Sequence, residues 1–199
     1  GGAHPVNKVG GGVTLFTGTE NTYAGQTWVR AGTLGVTKLA NAGQAGSLGQ
    51  PAGADSAIKI GNGGTSARLA YFGTGETTDK TVDLAGTTGN AYLTQAGSGL
   101  LTFTSDLSYS GAGGKTLFLE GSTDGIGELA GVFSDGLPYT NKLIKAGTGK
   151  WVLSNVNTHR GETEIQNGTL SLTHPNALSA SSTVRFTSQN GVLSLDHNG

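Results

Sequence analysis

The sequence predicts an all-β fold, a right-handed parallel β-helix (β-solenoid) with about eight to ten coils. The first observation is composition: 36 of 199 residues are glycine and 13% are charged, about half of the roughly 25% in an average soluble domain. The second is a hydrophobic period of two residues, typical of strands, in short Leu, Val and Ile runs that Gly-rich turns separate. The third is an internal repeat.

The repeat has the pattern K-x-G-x-G, N-T-x-x-G-x-T-x-[VI] and G-T-L-x-[VL]. Clear copies begin at Lys8 and Lys145, and a degenerate copy lies between them, so the three copies fall near residues 8–71, 95–121 and 145–195. The first copy is longer than the last between Val36 and Ala57, which predicts a loop insertion near 39–55. We expect residues 1–199 to form a single β-solenoid segment, a fragment of a longer protein.

Alignment of the copies also predicts which side chains share a position in the ladder. In a solenoid, matched residues of successive coils stack about 4.8 Å apart, and alternate residues face the core. The predicted inward columns are Thr14, Leu101 and Trp151, and Phe16, Phe103 and Leu153. The predicted outward positions are Val13, Leu15, Lys150 and Val152. In the next strand of the unit, Val29 and Ile165 are predicted to point inward, and Trp28 and Glu164 to occupy a solvated outward position.

An antiparallel β-sandwich has a similar spacing between strands and is the main alternative fold. A sandwich does not require a long recurring unit, whereas stacking of like residues in a solenoid explains one. The repeat therefore favours the solenoid.

The motifs of the last copy identify a family. The segments Glu128–Gly136, Leu143–Ser154, Asn157–Thr163 and Gly168–Leu170 closely resemble the autotransporter-associated β-strand repeat, also called the passenger-associated transport repeat. The resemblance is strong over 126–195, good over 8–71 and weak over 72–125. His159 replaces the usual Tyr of the family, and Asn155 replaces Gly, which puts the local turn geometry in question.

This resemblance implies a right-handed β-helix that serves as an extracellular passenger segment of a large bacterial surface protein. Such proteins are outer-membrane-associated or secreted, and many are exported through an outer-membrane β-barrel. The repeat implies no catalytic residue and no cofactor.

Charge and composition exclude several classes of partner. The net charge is −1, and the 12 Lys and Arg residues are scattered, which argues against a nucleic-acid footprint. No run approaches the roughly 20 apolar residues of a membrane span. Cysteine is absent, so neither a disulfide framework nor a thiolate metal site is expected.

Because β-helices also carry polysaccharide-degrading enzymes, paired carboxylates need attention. The closest acidic pairs are Glu162/Glu164, Asp79/Asp83 and Asp124/Glu128. The first copy has Gln26 and Trp28 in place of Glu162 and Glu164, which indicates a solvated face rather than a catalytic pair. The calcium-binding nonapeptide motif and zinc-type His spacing are both absent, so no metal is expected.

The one candidate ligand site is aromatic. Trp28 is predicted to point outward near Tyr23, and exposed aromatic rings can stack on sugars. Packing of Trp28 under the 39–55 insertion is the competing explanation.

Three functions remain open. The first is a non-catalytic structural or adhesive surface rod, mostly monomeric with some end-to-end stacking, whose partner is a host or environmental glycan or protein. The second is a glycan-binding or polysaccharide-degrading β-helix, and the third is a lectin-like β-sandwich.

Overall fold

The computed structural model describes residues 2–197 and is built from strands that all pair in parallel. One 3-10 turn, Gly53–Ser56, is the only helical element of these residues. The strands of the described chain, numbered in order, are β1 (Val6–Lys8), β2 (Val13–Phe16), β3 (Thr27–Val29), β4 (Gly32–Val36), β5 (Ile58–Gly63), β6 (Ala67–Tyr71), β7 (Glu76–Thr78), β8 (Val82–Gly86), β9 (Ala91–Gln95), β10 (Leu100–Phe103), β11 (Thr116–Gly121), β12 (Ile126–Leu129), β13 (Lys142–Lys145), β14 (Lys150–Leu153), β15 (Thr163–Ile165), β16 (Gly168–Leu172), β17 (Val184–Phe186) and β18 (Gly191–Leu195).

These strands form three sheets, one for each face of a three-sided coil. The first sheet has the order β1-β3-β5-β8, the second β2-β4-β6-β9-β11-β13-β15-β17, and the third β7-β10-β12-β14-β16-β18. The chain passes through the sheets in turn, as in β5, β6, β7 and then β8 of the first sheet again. Since the second sheet contains eight strands, the chain makes about eight coils. The predicted all-β parallel solenoid is confirmed.

Stacked apolar side chains fill the interior. In the second sheet Leu34, Leu69, Leu93 and Leu119 succeed one another in register, and each is at most 2% exposed. Full burial of one such side chain contributes about 1.5–3 kcal/mol. A column of like residues therefore stabilises the fold only when the coils are in register.

The first face continues beyond β8 without regular strands. Its backbone is joined coil to coil by single hydrogen bonds, such as Leu107 N to Val132 O and Thr158 N to Phe133 O. Asn157 completes the connection, because its Oδ1 accepts from Phe133 N and its Nδ2 donates to Ala177 O. A buried asparagine thus satisfies backbone groups that a strand would otherwise pair.

The coil from Leu34 to Leu69 is longer than the next one, from Leu69 to Leu93, and its extra length lies between β4 and β5. Leu39 and Leu48 of this segment are buried in the core. Glu76 of β7 accepts hydrogen bonds from the amides of Leu39 and Ala40 at 2.6 and 2.9 Å. Because β7 is the first strand of the third sheet, this segment covers an edge that would otherwise be open.

The predicted columns are correct for two copies and wrong for the first. Phe103 and Leu153 do share a column of the third sheet, on either side of Leu129. Phe16 lies instead in the second sheet, paired with Val36. By the same register Leu101 and Trp151 flank Gly127 in the third sheet, whereas Thr14 pairs with Leu34 in the second.

The first copy lies in a different sheet because the repeat encodes a corner of the coil rather than one particular face. Lys145 ends β13 of the second sheet and leads into the third, whereas Lys8 ends β1 of the first sheet and leads into the second. The same strand–turn–strand unit therefore occupies a different corner in the first copy. A three-sided coil offers comparable corners, so one local motif fits at either place.

Candidate binding surfaces and the repeat corner

The repeat corner is built around a buried lysine. Lys145 is 0% exposed, and its Nζ donates to the carbonyls of Ala146, Gly147 and Asn167 at 2.8, 2.9 and 3.0 Å. Two of these carbonyls belong to its own turn and the third to the next coil. Burial lowers the pKa of Lys145 to about 8, although the nearby Glu120 carboxylate opposes the shift. The ammonium thus joins two coils at the turn.

Lys8 repeats this arrangement at the other corner. Its Nζ donates to Val9 O, Gly10 O and Ala31 O at 3.2, 2.7 and 3.0 Å. These acceptors correspond one by one to those of Lys145. The sequence match between the copies therefore reflects a common three-dimensional unit.

A glycine on the following strand allows the coils to approach at each corner. Gly168 has a φ of +65°, and a Cβ there would lie 2.5 Å from Gly147 O; Gly32 has a φ of +67° and the same 2.5 Å approach to Gly10 O. A non-glycine residue would clash with backbone and adopt a disfavoured conformation. These positions explain the G of the G-T-L motif.

In the middle copy Gln95 takes the place of the lysine. Its Nε2 donates to Gly99 O at 3.1 Å and to Ile126 O at 3.3 Å. A neutral amide therefore connects the turn to the next coil with fewer donors. The middle copy therefore forms its corner without a buried ammonium.

Trp28, one of the two predicted ligand-binding residues, lies on the outer surface of the first sheet and is half-buried. Its Nε1 donates to Gly61 O at 2.7 Å. The Arg30 guanidinium lies 3.7 Å above the centre of the ring, and the Lys59 ammonium lies 5.3 Å from it. These cations occupy space over the ring that a stacked sugar would need.

Tyr23, the other predicted residue, packs against the segment between β4 and β5. A Cβ on Gly49 would lie within 2.8 Å of the Tyr23 ring, and Gln50 N donates to Tyr23 O at 2.8 Å. The hydroxyl is buried without a hydrogen-bond partner among residues 2–197, and burial raises the pKa of Tyr23. The long loop therefore packs on Tyr23.

The acidic pair Glu162/Glu164 lies in an ion network on the second sheet. Lys142 Nζ is 3.1 Å from Glu162 Oε2 and 2.7 Å from Glu164 Oε2. Arg185 contacts both carboxylates from the other side. The prediction that Glu164 is solvated is wrong: it is 6% exposed, because neighbouring coils supply two cations that cover it.

This network has the wrong electrostatics for acid–base chemistry. Hydrogen bonds from Lys142 and Gln166 lower the pKa of Glu164 to about 2, and Arg185 and Lys142 lower the pKa of Glu162 as well. Two carboxylates that divide acid and base roles need pKa values that are pushed apart. Here both are held in the ionised form.

Three of the four carboxylates in the other two acidic pairs have local structural partners. Asp83 accepts from Ser110 N at 2.8 Å, and Asp79 accepts from Ala42 N at 2.6 Å. Glu128 binds the hydroxyls of Thr102 and Ser154 at 2.9 and 2.6 Å, whereas Asp124 is exposed in the turn before β12. Over residues 2–197 no three His, Cys, Asp or Glu side chains are grouped as a metal site would require.

His159 is buried beside the aromatic core of the first face. Its ring centre lies 4.9 Å from that of Phe133, and its Nε2 is 2.8 Å from Thr163 Oγ1. Burial lowers the pKa of His159 to about 4, and Asp135 opposes the shift. The imidazole is therefore neutral at physiological pH and serves as a packing residue.

A ladder on the outer surface of the second sheet was missed by sequence reasoning. Arg68, Tyr92 and Phe118 are consecutive register partners. The Tyr92 and Phe118 rings stack with centres 4.5 Å apart, and the Arg68 guanidinium lies 4.8 Å from the Tyr92 ring centre. Each residue comes from a different coil, so only the coil register reveals the group.

Comparison with known proteins agrees with the corner geometry. Residues 6–36, 93–123 and 143–172 match the passenger-associated transport repeat family, and these ranges contain Lys8, Gln95 and Lys145 respectively. These three segments of the chain are thus similar to passenger-associated transport repeats. The family resemblance found in the sequence is confirmed, and these repeats place the chain at the cell surface or in the secreted fraction.

One curated relative is described as an adhesin BmaC autotransporter of Brucella suis biovar 1 (strain 1330). It is 39% identical over 142 residues, which cover 70% of this chain and 4% of the relative. The passenger repeats described here thus correspond to a small part of that protein. Neither name refers to a catalytic activity. No solved structure matches the chain significantly. Within residues 2–197 there is no helix with the length and hydropathy of a membrane span.

Proposed function

We propose that this chain is a non-catalytic rod segment of an autotransporter-like surface protein, which spaces other domains and contributes to adhesion. The observation that carries this proposal is the continuous eight-stranded parallel sheet, three corners of which match passenger-associated transport repeats. The name of the adhesin relative supports the adhesive part.

The geometry suits a spacer. Each coil adds about 4.8 Å along the axis, so eight coils extend about 40 Å. At two corners a buried lysine, Lys8 or Lys145, connects its coil to the next through backbone carbonyls, which resists displacement of these coils relative to each other. Since each coil contacts mainly its neighbours, the rod can fold progressively as it emerges from an export channel.

The partner of this segment is proposed to be a glycan or protein of a host or environmental surface. A contact at Trp28 and Tyr23 would require Arg30 to leave the Trp28 ring and the long loop to leave Tyr23. The isolated segment is proposed to be mostly monomeric with some end-to-end stacking. Exposed apolar residues of the last coil support this: Phe186 and Leu195 are 53% and 64% exposed because no further coil covers them. Parallel strand edges at both ends favour head-to-tail addition.

Coil deletion tests the spacer role. Removal of residues 119–144 deletes one complete coil and keeps Lys145, because Phe118 and Ile144 are register partners in neighbouring coils. We expect this variant to keep strand-type circular dichroism and to shorten by about 5 Å in solution scattering. Removal of residues 120–132 alone deletes only part of the coil, so it should place every following strand on the wrong face and abolish cooperative unfolding.

A compact globular scattering profile for the intact chain contradicts the rod. The adhesive part is tested in the full-length surface protein, by comparing cell attachment with and without the complete coil. If removal of the whole segment 6–195 leaves cell attachment unchanged, the adhesive role is contradicted but the spacer role is not.

A polysaccharide-degrading β-helix is the alternative function. The lowered pKa values of Glu162 and Glu164 disfavour it, because neither carboxylate is held protonated to act as an acid. Reducing-end release from polysaccharides by the intact chain, abolished by Glu164→Gln, would establish the enzyme instead.

A further inference from the structure

We propose that a groove at the corner between the first and second sheets binds a sugar that carries a carboxylate. The groove is lined by Gly32, Thr33, Ser66, Ala67, Arg68 and Tyr92 and has a volume of about 240 Å³. This inference rests on the proposed adhesive function and gives its partner a chemical class.

The size of the groove limits the ligand. Pockets for drug-sized ligands measure about 300–1,000 Å³, so this volume accommodates a single sugar residue. Gly32 and Ala67, which also line it, are register partners in neighbouring coils, so the groove spans two coils.

The lining chemistry selects an anionic polyol. Among the described residues, Arg68 is the only charged one that lines the groove. One terminal nitrogen of its guanidinium pairs with Glu120 Oε2 at 2.9 Å, and the side chain is 37% exposed. A guanidinium has five donors, so the terminal N–H groups that Glu120 does not engage can bind a second carboxylate. The Nε is buried and takes no part in this contact. The hydroxyls of Thr33 and Ser66 provide the short polar contacts that sugar hydroxyls require.

Tyr92 is held in position by the outer ladder. Phe118 stacks on one side of its ring, 4.5 Å away, and Asn90 Nδ2 donates to the Tyr92 hydroxyl at 3.3 Å. Because the hydroxyl already accepts, its own proton is available to a ligand. A fixed phenol and a fixed guanidinium lower the ordering cost of binding.

The corresponding cation–aromatic pair of the first sheet lacks this groove. Arg30 lies 3.7 Å from the Trp28 ring centre, but its Nε is engaged by Asn7 Oδ1 at 2.9 Å. Both pairs place an arginine over an aromatic ring, but only the Arg68–Tyr92 pair lines a groove. Arg30 is therefore the matched control for Arg68.

The test is calorimetric titration of the intact chain with methyl glucuronide, N-acetylneuraminic acid, a sulfated hexose and neutral methyl glucoside. We expect millimolar binding of a carboxylate sugar, at least tenfold tighter than methyl glucoside. Arg68→Met should weaken that binding at least tenfold, and Arg30→Met should leave it unchanged. The two carboxylate sugars distinguish a uronate from a sialic acid as the source of the carboxylate.

A second variant, Thr33→Val, keeps the Arg68–Glu120 pair and the hydrogen bond from Asn90 N to Ser66 Oγ, and should also weaken binding. Thermal unfolding of each variant establishes that it is folded. The proposal is overturned if no sugar binds, or if acidic and neutral sugars bind with equal affinity. It is also overturned if the sulfated hexose binds more tightly than the carboxylate sugars, or if Arg68→Met binds them as the unchanged chain does. A rod-like scattering profile together with any of these results leaves the proposed rod function intact.

Discussion

Lys8 and Lys145 occupy the same local site at different corners of the solenoid. Each Nζ donates to two carbonyls of its own turn and to one carbonyl of the next coil. The K-x-G-x-G motif thus encodes a cross-linked corner. In the first and last copies of the repeat, a buried ammonium thus connects successive coils.

The corner lysine should be essential for stability. Lys145→Met leaves three partly buried carbonyls without their donor, and one unsatisfied buried group costs about 1–3 kcal/mol. We expect Lys145→Met to lower the free energy of unfolding in urea by about 3 kcal/mol. Lys145→Gln should lower it by less, because Gln95 already occupies such a corner. Lys150→Met is the control, since its ion pair with Asp196 is 3.5 Å long and exposed. Equal effects of Lys145→Met and Lys150→Met would disprove the role.

Acid should destabilise the fold through His159. Its pKa is about 4 when folded, below the ordinary 6.5, so the unfolded chain binds more protons between these values and stability is lost as pH falls from 6.5 to 4. The expected contribution is about 3 kcal/mol. His159→Phe should flatten the pH dependence of the thermal midpoint in this window, while His174→Phe, at a partly exposed position, should not. Loss of stability only below pH 4 would assign the acid sensitivity to Glu164 instead.

Glu76 should keep the long loop attached to the third sheet. Glu76→Gln replaces a carboxylate that accepts two backbone amides with a weaker acceptor. Hydrogen exchange of the Leu39 and Ala40 amides should accelerate about tenfold or more, corresponding to about 1.4 kcal/mol. Glu20→Gln, which removes only an exposed ion pair with Lys38, should leave those amides protected. Protection unchanged in Glu76→Gln would show that the loop is held by Leu39 and Leu48 alone.

Gly127 should be required for the position of Trp151. A Cβ at Gly127 would lie 2.4 Å from the Trp151 ring, and overpacking of this kind costs about 1–3 kcal/mol. Gly127→Ala should shift tryptophan fluorescence to longer wavelength and lower the unfolding midpoint. Gly12→Ala, where nothing lies within 4 Å, is the matched control. An unshifted spectrum in Gly127→Ala would mean that the indole relaxes without exposure.

Several features were predictable because they depend on local pattern. Val29 and Ile165 are both 0% exposed as alternation requires, and Val13 and Leu15 are 73% and 51% exposed. Strand β7 was not predicted, since Glu76–Thr78 is polar and short. Its strand conformation comes from pairing with β10 of the following coil, a contact that no local pattern in the sequence encodes.

The sequence by itself determined the all-β solenoid and the repeat family, because glycine turns, period-two strands and the lysine corner are all local. Only the tertiary structure decided which face each unit occupies, because the number of residues in a coil determines the face on which the next unit falls. An extended coil follows Leu34. The tertiary structure also decided which side chains meet across coils. Arg68, Tyr92 and Phe118 lie on three successive coils and become neighbours through parallel register alone.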